Sequence, residues 1–519
     1  MAGATVQVYH IQDLPHVIES LYGSADKEVC DRFTTMIRGF ENRFGKAPEF
    51  LGRSPGRVNL IGEHIDYMGY AVLPMAIRQD TIVAIGRADD GRVHVSNLRP
   101  GFSEEDFGTN PDELVARTDH SWVNYVMASF KGVCGYVPAE KCQQITTGLN
   151  MMVEGQVPQG SGLSSSAALV CSAALALLGM LGVTVPQAEV AQFTAECEKF
   201  VGTESGGMDQ AISIMGELGL AKLVHFNPIR TEDVPLPEGA IFVIANSLTE
   251  SAKAVSADRQ YNMRVVECRL ATALLGLKLG LSPEEAVSRR TLREVEDEVR
   301  AAQGPTLGGP KGSVTGAELE VVRKLLDQEV YMQPQLEQLL GLSLEHMFAG
   351  NASQLRCVGV ARDFGFKLRD RALHVFSEAA RVPEFKAACD SNAPADQKLL
   401  ELARLMDLSH ASCRDLYECS CEELDTLVAV SKAAGALGSR LTGAGWGGCT
   451  VSLVRQEDVE GFITKVKQEY YVAGVNDKKL SERLFERDSK DGWRPIIGWE
   501  NVIFASPPGS GGAILDLRK

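Results

Sequence analysis

The chain has 519 residues and no apolar run long enough to cross a bilayer. The longest, Ala167 to Leu181, covers about 15 residues and includes Cys171 and Ser172, against the roughly 20 that a span needs. The N-terminus, MAGATVQVYHIQDLP, lacks a basic segment followed by an apolar one, so it does not read as a secretory signal. Paired CxxC units are missing as well. The twelve cysteines are scattered, and the closest grouping, Cys413, Cys419 and Cys421, has no second cluster at zinc spacing. Positive charge is in deficit: 52 Lys and Arg against 68 Asp and Glu leave a net charge of −16, with a pI near 5.2. Such a surface repels a phosphate backbone and anionic lipid, so nucleic acid and membrane are poor partners, while a small basic pocket for a phosphorylated ligand stays compatible. No internal repeat of fixed period is visible. These absences predict a cytoplasmic protein that works on small molecules and keeps reduced, mostly buried thiols; a monomer is the expected state, although nothing in the composition fixes it.

What is present is ordinary for a globular chain: 45% hydrophobic and 23% charged residues, and length enough for two to four domains at about 150 residues each. Helical spacing runs through residues 13–45, with Leu14, Val17, Ile18, Leu21 and then Phe33, Met36, Ile37, Phe40. A strand-like run starts at Phe50 and is expected to break at Ser54-Pro55-Gly56. Further strands are expected over 70–86, 93–97, 221–226 and 240–247, and helices over 120–135 and 185–200. From 262 to 440 the pattern is almost entirely helical, interrupted by the Gly/Pro-rich stretch 304–312, which reads as a mobile surface insertion. Several strands precede the long Ala/Leu helix, which argues for an α+β fold rather than a doubly wound sheet. Two domains are expected, 1–245 and 246–519, and the tail SPPGSGGAILDL reads as a turn and a final edge strand.

Four stretches carry chemistry. In GRSPGRVNLIGEHIDYMGY (52–70), Arg57 is followed by Glu63, His64 and Asp66, a loop of converging polar groups suited to a ligand rich in hydroxyls, since carboxylates accept and imidazole can do either. A solvated turn is the plain alternative. In VPQGSGLSSSAALVCSAALAL (157–177), Gly160 and Gly162 precede Ser164, Ser165 and Ser166 at the mouth of a long helix. Free N–H groups of a first helical turn, with the dipole behind them, bind anions. The serines are placed to cap the helix, to reach phosphate oxygens or to reach a metal; a capped core helix is the alternative. The stretch is neither a Walker A sequence nor a protein-kinase loop. In SRLTGAGWGGCTVSL (439–453), glycines interrupt a strand pattern, marking a bulge, a tight turn or a close backbone approach. In KFVGTESGGMDQAIS (199–213), Asp209 follows a Gly-Gly-Met turn; it is either an ordinary first-turn acid or, opposite Arg57 in a pocket, a base.

Together these motifs resemble the GHMP family of small-molecule kinases, and within it the galactokinase branch. GRVNLIGEHIDYMGY is similar to the galactokinase signature, GLSSSAA to the family's phosphate loop and LTGAGWGGC to its C-terminal glycine motif. The resemblance runs from about residue 30 to the final strand; the 300–315 loop and the charged segment 474–493 look like extra length.

It implies a two-domain GHMP kinase fold with the active site in the interdomain cleft. ATP would lie on Gly160, Gly162, Ser164, Ser165 and Ser166, with Lys253 within reach of the nucleotide, though an exposed, solvated lysine is the plainer reading. Mg2+ would be held by Ser166 and Glu198. The sugar would be held by Glu63, His64 and Asp66, with Gly207 and Asp209 as the far wall. Asp209 and Arg57 would do the chemistry, Asp209 as base or as orienting group. The implied reaction is ATP-dependent phosphorylation of D-galactose at its anomeric hydroxyl. N-acetylgalactosamine is the alternative substrate, against which Tyr261 in RQYNMR argues. A non-catalytic galactose sensor, or a kinase for mevalonate or homoserine, fits the intact motifs less well.

Overall fold

The computed structural model describes residues 4–11, 13–117, 121–202, 206–249, 258–302, 316–488 and 492–518. The helical spacing of 13–45 gives two helices, α1 (Leu14–Tyr22) and α2 (Lys27–Phe44), because Gly23 takes a left-handed conformation and ends the first. The strands of the first half are β1 (Gln7–His10), β2 (Phe50–Ile61), β3 (Leu73–Arg87), β4 (Arg92–Asn97), β5 (Glu105–Gly108) and β6 (Leu149–Gly155). A hairpin, β7 (Leu220–His225) and β8 (Arg230–Pro235), comes next, then β9 (Ala240–Asn246). The C-terminal part supplies β10 (Gly438–Thr442), β11 (Cys449–Arg455), the hairpin β12 (Phe485–Asp488) and β13 (Gly492–Pro495), then β14 (Ile503–Ser506) and β15 (Ala513–Asp516).

Two sheets organise the molecule. The larger has the order β1-β15-β2-β3-β6-β4-β5 and the smaller β10-β11-β9-β14. Two expectations change here. β2 does not break at Ser54-Pro55-Gly56; a register shift against β3 between Pro55 and Arg57 absorbs the proline, which cannot donate to a ladder. The last strand is not at an edge. β15 lies between β1 and β2, so the tail closes the larger sheet instead of bordering it. The expected division at residue 245 falls inside β9, which belongs to the smaller sheet.

β2 is buried at every position, as a strand covered on both faces should be. The helix that covers it, α4 (Ser165–Leu181), follows α3 (Val123–Tyr136) in the chain and is apolar on all sides and buried almost throughout. It lies so close that a Cβ on Gly52 would meet Ser172 O at 2.1 Å. That contact fixes where the mouth of α4 stands. Beyond it come α5 (Gln187–Cys197), a 3₁₀ turn (Glu198–Val201), and α6 (Met208–Met215), which starts one residue before Asp209. On the other side of the cleft stand α7 (Tyr261–Lys278), α8 (Leu368–Asp390) and α9 (Ala395–Asp415).

The expected Gly/Pro insertion at 304–312 and Lys253 lie outside the described residues. The thiol expectation holds with one exception. Cys134 and Cys142 form a disulfide. Eight of the other ten cysteines are buried, Cys30 and Cys421 being half-buried. Among the described residues no helix is long and apolar enough to cross a membrane.

Candidate active site

The two sheets meet where the glycine motif touches the serine loop. A Cβ on Gly443 would stand 2.4 Å from Gly162 O, and one on Gly448 would stand 2.7 Å from Ser161 O. Both glycines have positive φ. Of the readings open for this motif, close backbone approach is the one realised. The same seam carries Arg57. Its Nε donates to Asp209 Oδ1 at 2.7 Å, and its Nη1 donates to Gly162 O. Burial works against the charged guanidinium, but Asp209 and Glu63 outweigh it and hold its pKa above the ordinary value. One side chain thus ties the candidate base to the serine loop.

Around that pair lies an enclosed pocket that brings together Arg57, Glu63, His64, Asp66, Ser166, Glu198, Gly207, Asp209 and Tyr261. Asp66 is enclosed against Gly206 and accepts the Tyr67 N–H; burial and the charge of Asp209 push its carboxyl up to about 6. Tyr261 opens α7 and sets its ring 5.4 Å from the His64 ring. Burial, with Asp66 and Asp209 adding negative charge, raises its hydroxyl pKa far above the ordinary value, so it stays a donor.

Two of the expected ligands are already engaged. Glu63 Oε2 accepts from Arg440 Nη2 at 2.9 Å and from Gly443 N at 3.2 Å. His64 has both ring nitrogens bonded, Nε2 to Ala444 O at 2.9 Å and Nδ1 to the Tyr67 hydroxyl at 2.9 Å. A carbonyl only accepts, so Nε2 carries the proton and Nδ1 accepts from Tyr67. His64 therefore offers the pocket a ring face.

The serine loop behaves differently from the capping expectation. Ser164 stands at the N-cap of α4 with φ 61°, and its side chain makes no cap hydrogen bond. Its Oγ is buried with no partner among the described residues. Ser166, in the first turn, faces both this pocket and a second cavity of about 670 Å³. The second cavity is lined by Phe102, Trp122, Tyr125, Ser165, Ile497 and Asn501, among others. Sequence reading missed it. Trp122 and Tyr125, three apart at the start of α3, are indistinguishable in sequence from helix core. Ile497 and Asn501 follow the charged segment that looked like mere extra length. Tyr125 also lines both cavities, and burial with the Glu198 charge pushes its hydroxyl up to about 12.

Among the described residues no group of three or more His, Cys, Asp or Glu stands ready to hold a metal. Ser166 and Glu198 share the pocket with Asp209. That set suits Mg2+, which takes one or two carboxylates and completes its shell with phosphate oxygens and water.

Comparisons with known proteins place the chain in a family. Three family models match: the galactokinase galactose-binding signature over residues 38–87, the GHMP kinases N terminal domain over 124–217, and the GHMP kinases C terminal over 387–472. The chain is 37% identical to a galactokinase of Dictyostelium discoideum over 492 residues, covering 90% of this chain and 94% of that one. It is 34% identical to a galactokinase of Schizosaccharomyces pombe, covering 90% and 93%. The solved structure of Lactococcus lactis galactokinase complexed with galactose superposes with a TM-score of 0.66 at 24% identity, covering 93% of this chain and 99% of that one; it supports the fold. On these matches and on the pairing of the serine loop with the glycine motif, the chain belongs to the galactokinase family of GHMP kinases.

Proposed function

We propose that this protein transfers the γ-phosphoryl group of ATP to the anomeric hydroxyl of D-galactose, giving galactose 1-phosphate. The observation that carries the reading is the pair of buried Arg57 with half-buried Asp209 in the pocket that shares Ser166 with the larger cavity. A nucleotide in the larger cavity would bring its phosphates to the first turn of α4, where N–H groups have no helical partner. A sugar in the enclosed pocket would face them from the other side of Ser166. Phosphoryl transfer needs this: positioning, neutralised charge and a nucleophile in line.

Asp209 takes or orients the proton of the attacking hydroxyl. Arg57 brings a fixed positive charge to the place where charge spreads over the transferred group. Asp66, Glu63 and the Tyr261 hydroxyl meet the other sugar hydroxyls, His64 supplies a wall and Gly207 the floor. Mg2+, held by Ser166 and Glu198, would neutralise phosphate charge when bound. The enzyme works in the cytoplasm as a monomer in this reading.

N-acetylgalactosamine is the competing substrate, and Tyr261, beside the His64 ring, occupies space that a bulky 2-substituent would need. A coupled ADP-release assay over free sugars decides, with kcat/KM for D-galactose and N-acetyl-D-galactosamine measured in the parent and in Tyr261→Phe. Preference for galactose in the parent, reduced in Tyr261→Phe, is expected. A parent that prefers the N-acetyl sugar would overturn the substrate, and the absence of any turnover would overturn the reaction.

A further inference from the structure

The turn that carries Glu63 and His64 toward the pocket is gripped from the opposite half of the molecule. Glu378 Oε1 accepts the N–H of Gly62 at 2.9 Å and the N–H of Glu63 at 3.1 Å. His374, one helical turn earlier on α8, approaches the carbonyl of Glu63 with Nε2 at 3.0 Å. Neither side chain is exposed to solvent.

The partners of these two residues are fixed in turn. Since the Glu63 carbonyl can only accept, His374 carries its proton on Nε2, and Nδ1 accepts from the Ser412 hydroxyl at 2.9 Å. Glu378 Oε1 also accepts from Ser409 at 2.7 Å, and its Oε2 from Arg381 at 2.6 Å. Tyr417 lies between the two histidines, its ring 4.2 Å from His374 and 4.9 Å from His64. Both polar directions of the Glu63 peptide are therefore held by one helix, and the ring of His64 is held through Tyr417. Two buried polar side chains at spacing i, i+4, with Ser409, Ser412 and Arg381 spent on satisfying them, would be an extravagant use of polar groups if only packing were served, because each must be fully satisfied to be tolerated.

We propose that His374 and Glu378 are positioning residues for the sugar: they set the backbone of the Gly62–His64 turn, so that Glu63 and the ring of His64 meet the substrate, and touch no substrate themselves. The proposal rests on the galactose reading of the pocket. A position held to well under an ångström matters to binding because a hydroxyl-lined site is only as selective as its geometry is fixed.

The test uses the full-length enzyme and three variants, His374→Leu, His374→Gln and Ser412→Ala, with KM for D-galactose, KM for ATP, kcat and amide hydrogen exchange over residues 62–66. His374→Leu should raise the galactose KM about tenfold, the scale of one lost hydrogen bond, leave the ATP KM within about twofold and speed exchange in the turn. His374→Gln, whose amide can donate to the Glu63 carbonyl, should recover most of the loss. A folded His374→Leu with parental galactose KM and parental exchange overturns the proposal, as does an equal rise in both KM values. If His374→Leu does not fold, Ser412→Ala decides: faster exchange and a higher galactose KM support the proposal, and no change in either overturns it. A parent inactive on galactose would sink the substrate reading, while exchange in the turn still judges the clamp.

Discussion

Asp66 is half-buried beside Asp209, and loss of solvent together with that neighbouring charge raises its carboxyl pKa from 3.8 to about 6. Between these values the folded chain binds a proton that the unfolded chain has released, so this group's contribution to stability falls as pH rises through that window. At neutral pH an ionised Asp66 is a cost that the fold bears for the sake of the site, a common pattern in binding pockets. Asp66→Asn should therefore stabilise the protein at pH 7 by on the order of 2 kcal/mol, since each tenfold change in proton affinity is worth about 1.4 kcal/mol, and weaken galactose binding. Urea unfolding at pH 7 checks the first part; a variant less stable than the parent would contradict it. In the parent, the galactose KM should rise as pH falls through about 6, because a protonated Asp66 loses acceptor capacity.

At the scale of elements, the larger sheet depends on a strand that comes from the last residues of the chain. Arg53 on β2 is buried, pairs with Asp80 on β3 and donates to Ser510 O at 2.9 Å and Gly511 O at 2.8 Å. Arg32 from α2 reaches the same Asp80 at 2.6 Å and also pairs with Glu154 on β6. One buried cluster thus joins α2, three strands and the loop before β15. Arg53→Met should cost about 3–5 kcal/mol in denaturant unfolding, the penalty for breaking a buried pair from one side. A loss below about 1 kcal/mol, in the range of a surface pair, would show that the tail is held by its ladder alone. This cluster was not legible in the sequence. Arg32, Asp80, Glu154 and Ser510 are far apart in the chain and carry no common pattern. The long helices and the strands β2, β3, β4, β7 and β9 were legible, because hydrophobic spacing marks a helix or strand locally, while β1, β5, β6, β8 and β12–β14 were not expected because they are short or lack a clear alternation. What failed was the edge assignment of β15 and the break in β2, which depend on pairing partners that the local pattern does not name.

The molecule as a whole places two cavities on either side of Ser166, to which the proposed function assigns sugar and nucleotide, with the seam of two glycine loops behind them. The sequence disclosed the serine loop, the glycine motif and the Arg57–Asp209 partnership, because each is a short run of residues whose chemistry constrains its neighbours. It did not disclose that His64 Nε2 would be bonded to Ala444 O, or that His374 and Glu378 would hold its turn, because those contacts join positions more than 300 residues apart. Nor did it disclose the cavity lined by Trp122 and Tyr125, since aromatic residues at helical spacing read as core. In the proposed function, Asp209 serves the chemical step at this junction. The most direct measurement is turnover of D-galactose with saturating ATP in Asp209→Asn, alongside calorimetric galactose binding to the same variant. The predicted result is a fall in kcat of at least about 10²-fold, the scale of a general base, with galactose binding largely kept. Near-parental turnover in a variant that still binds galactose would contradict it.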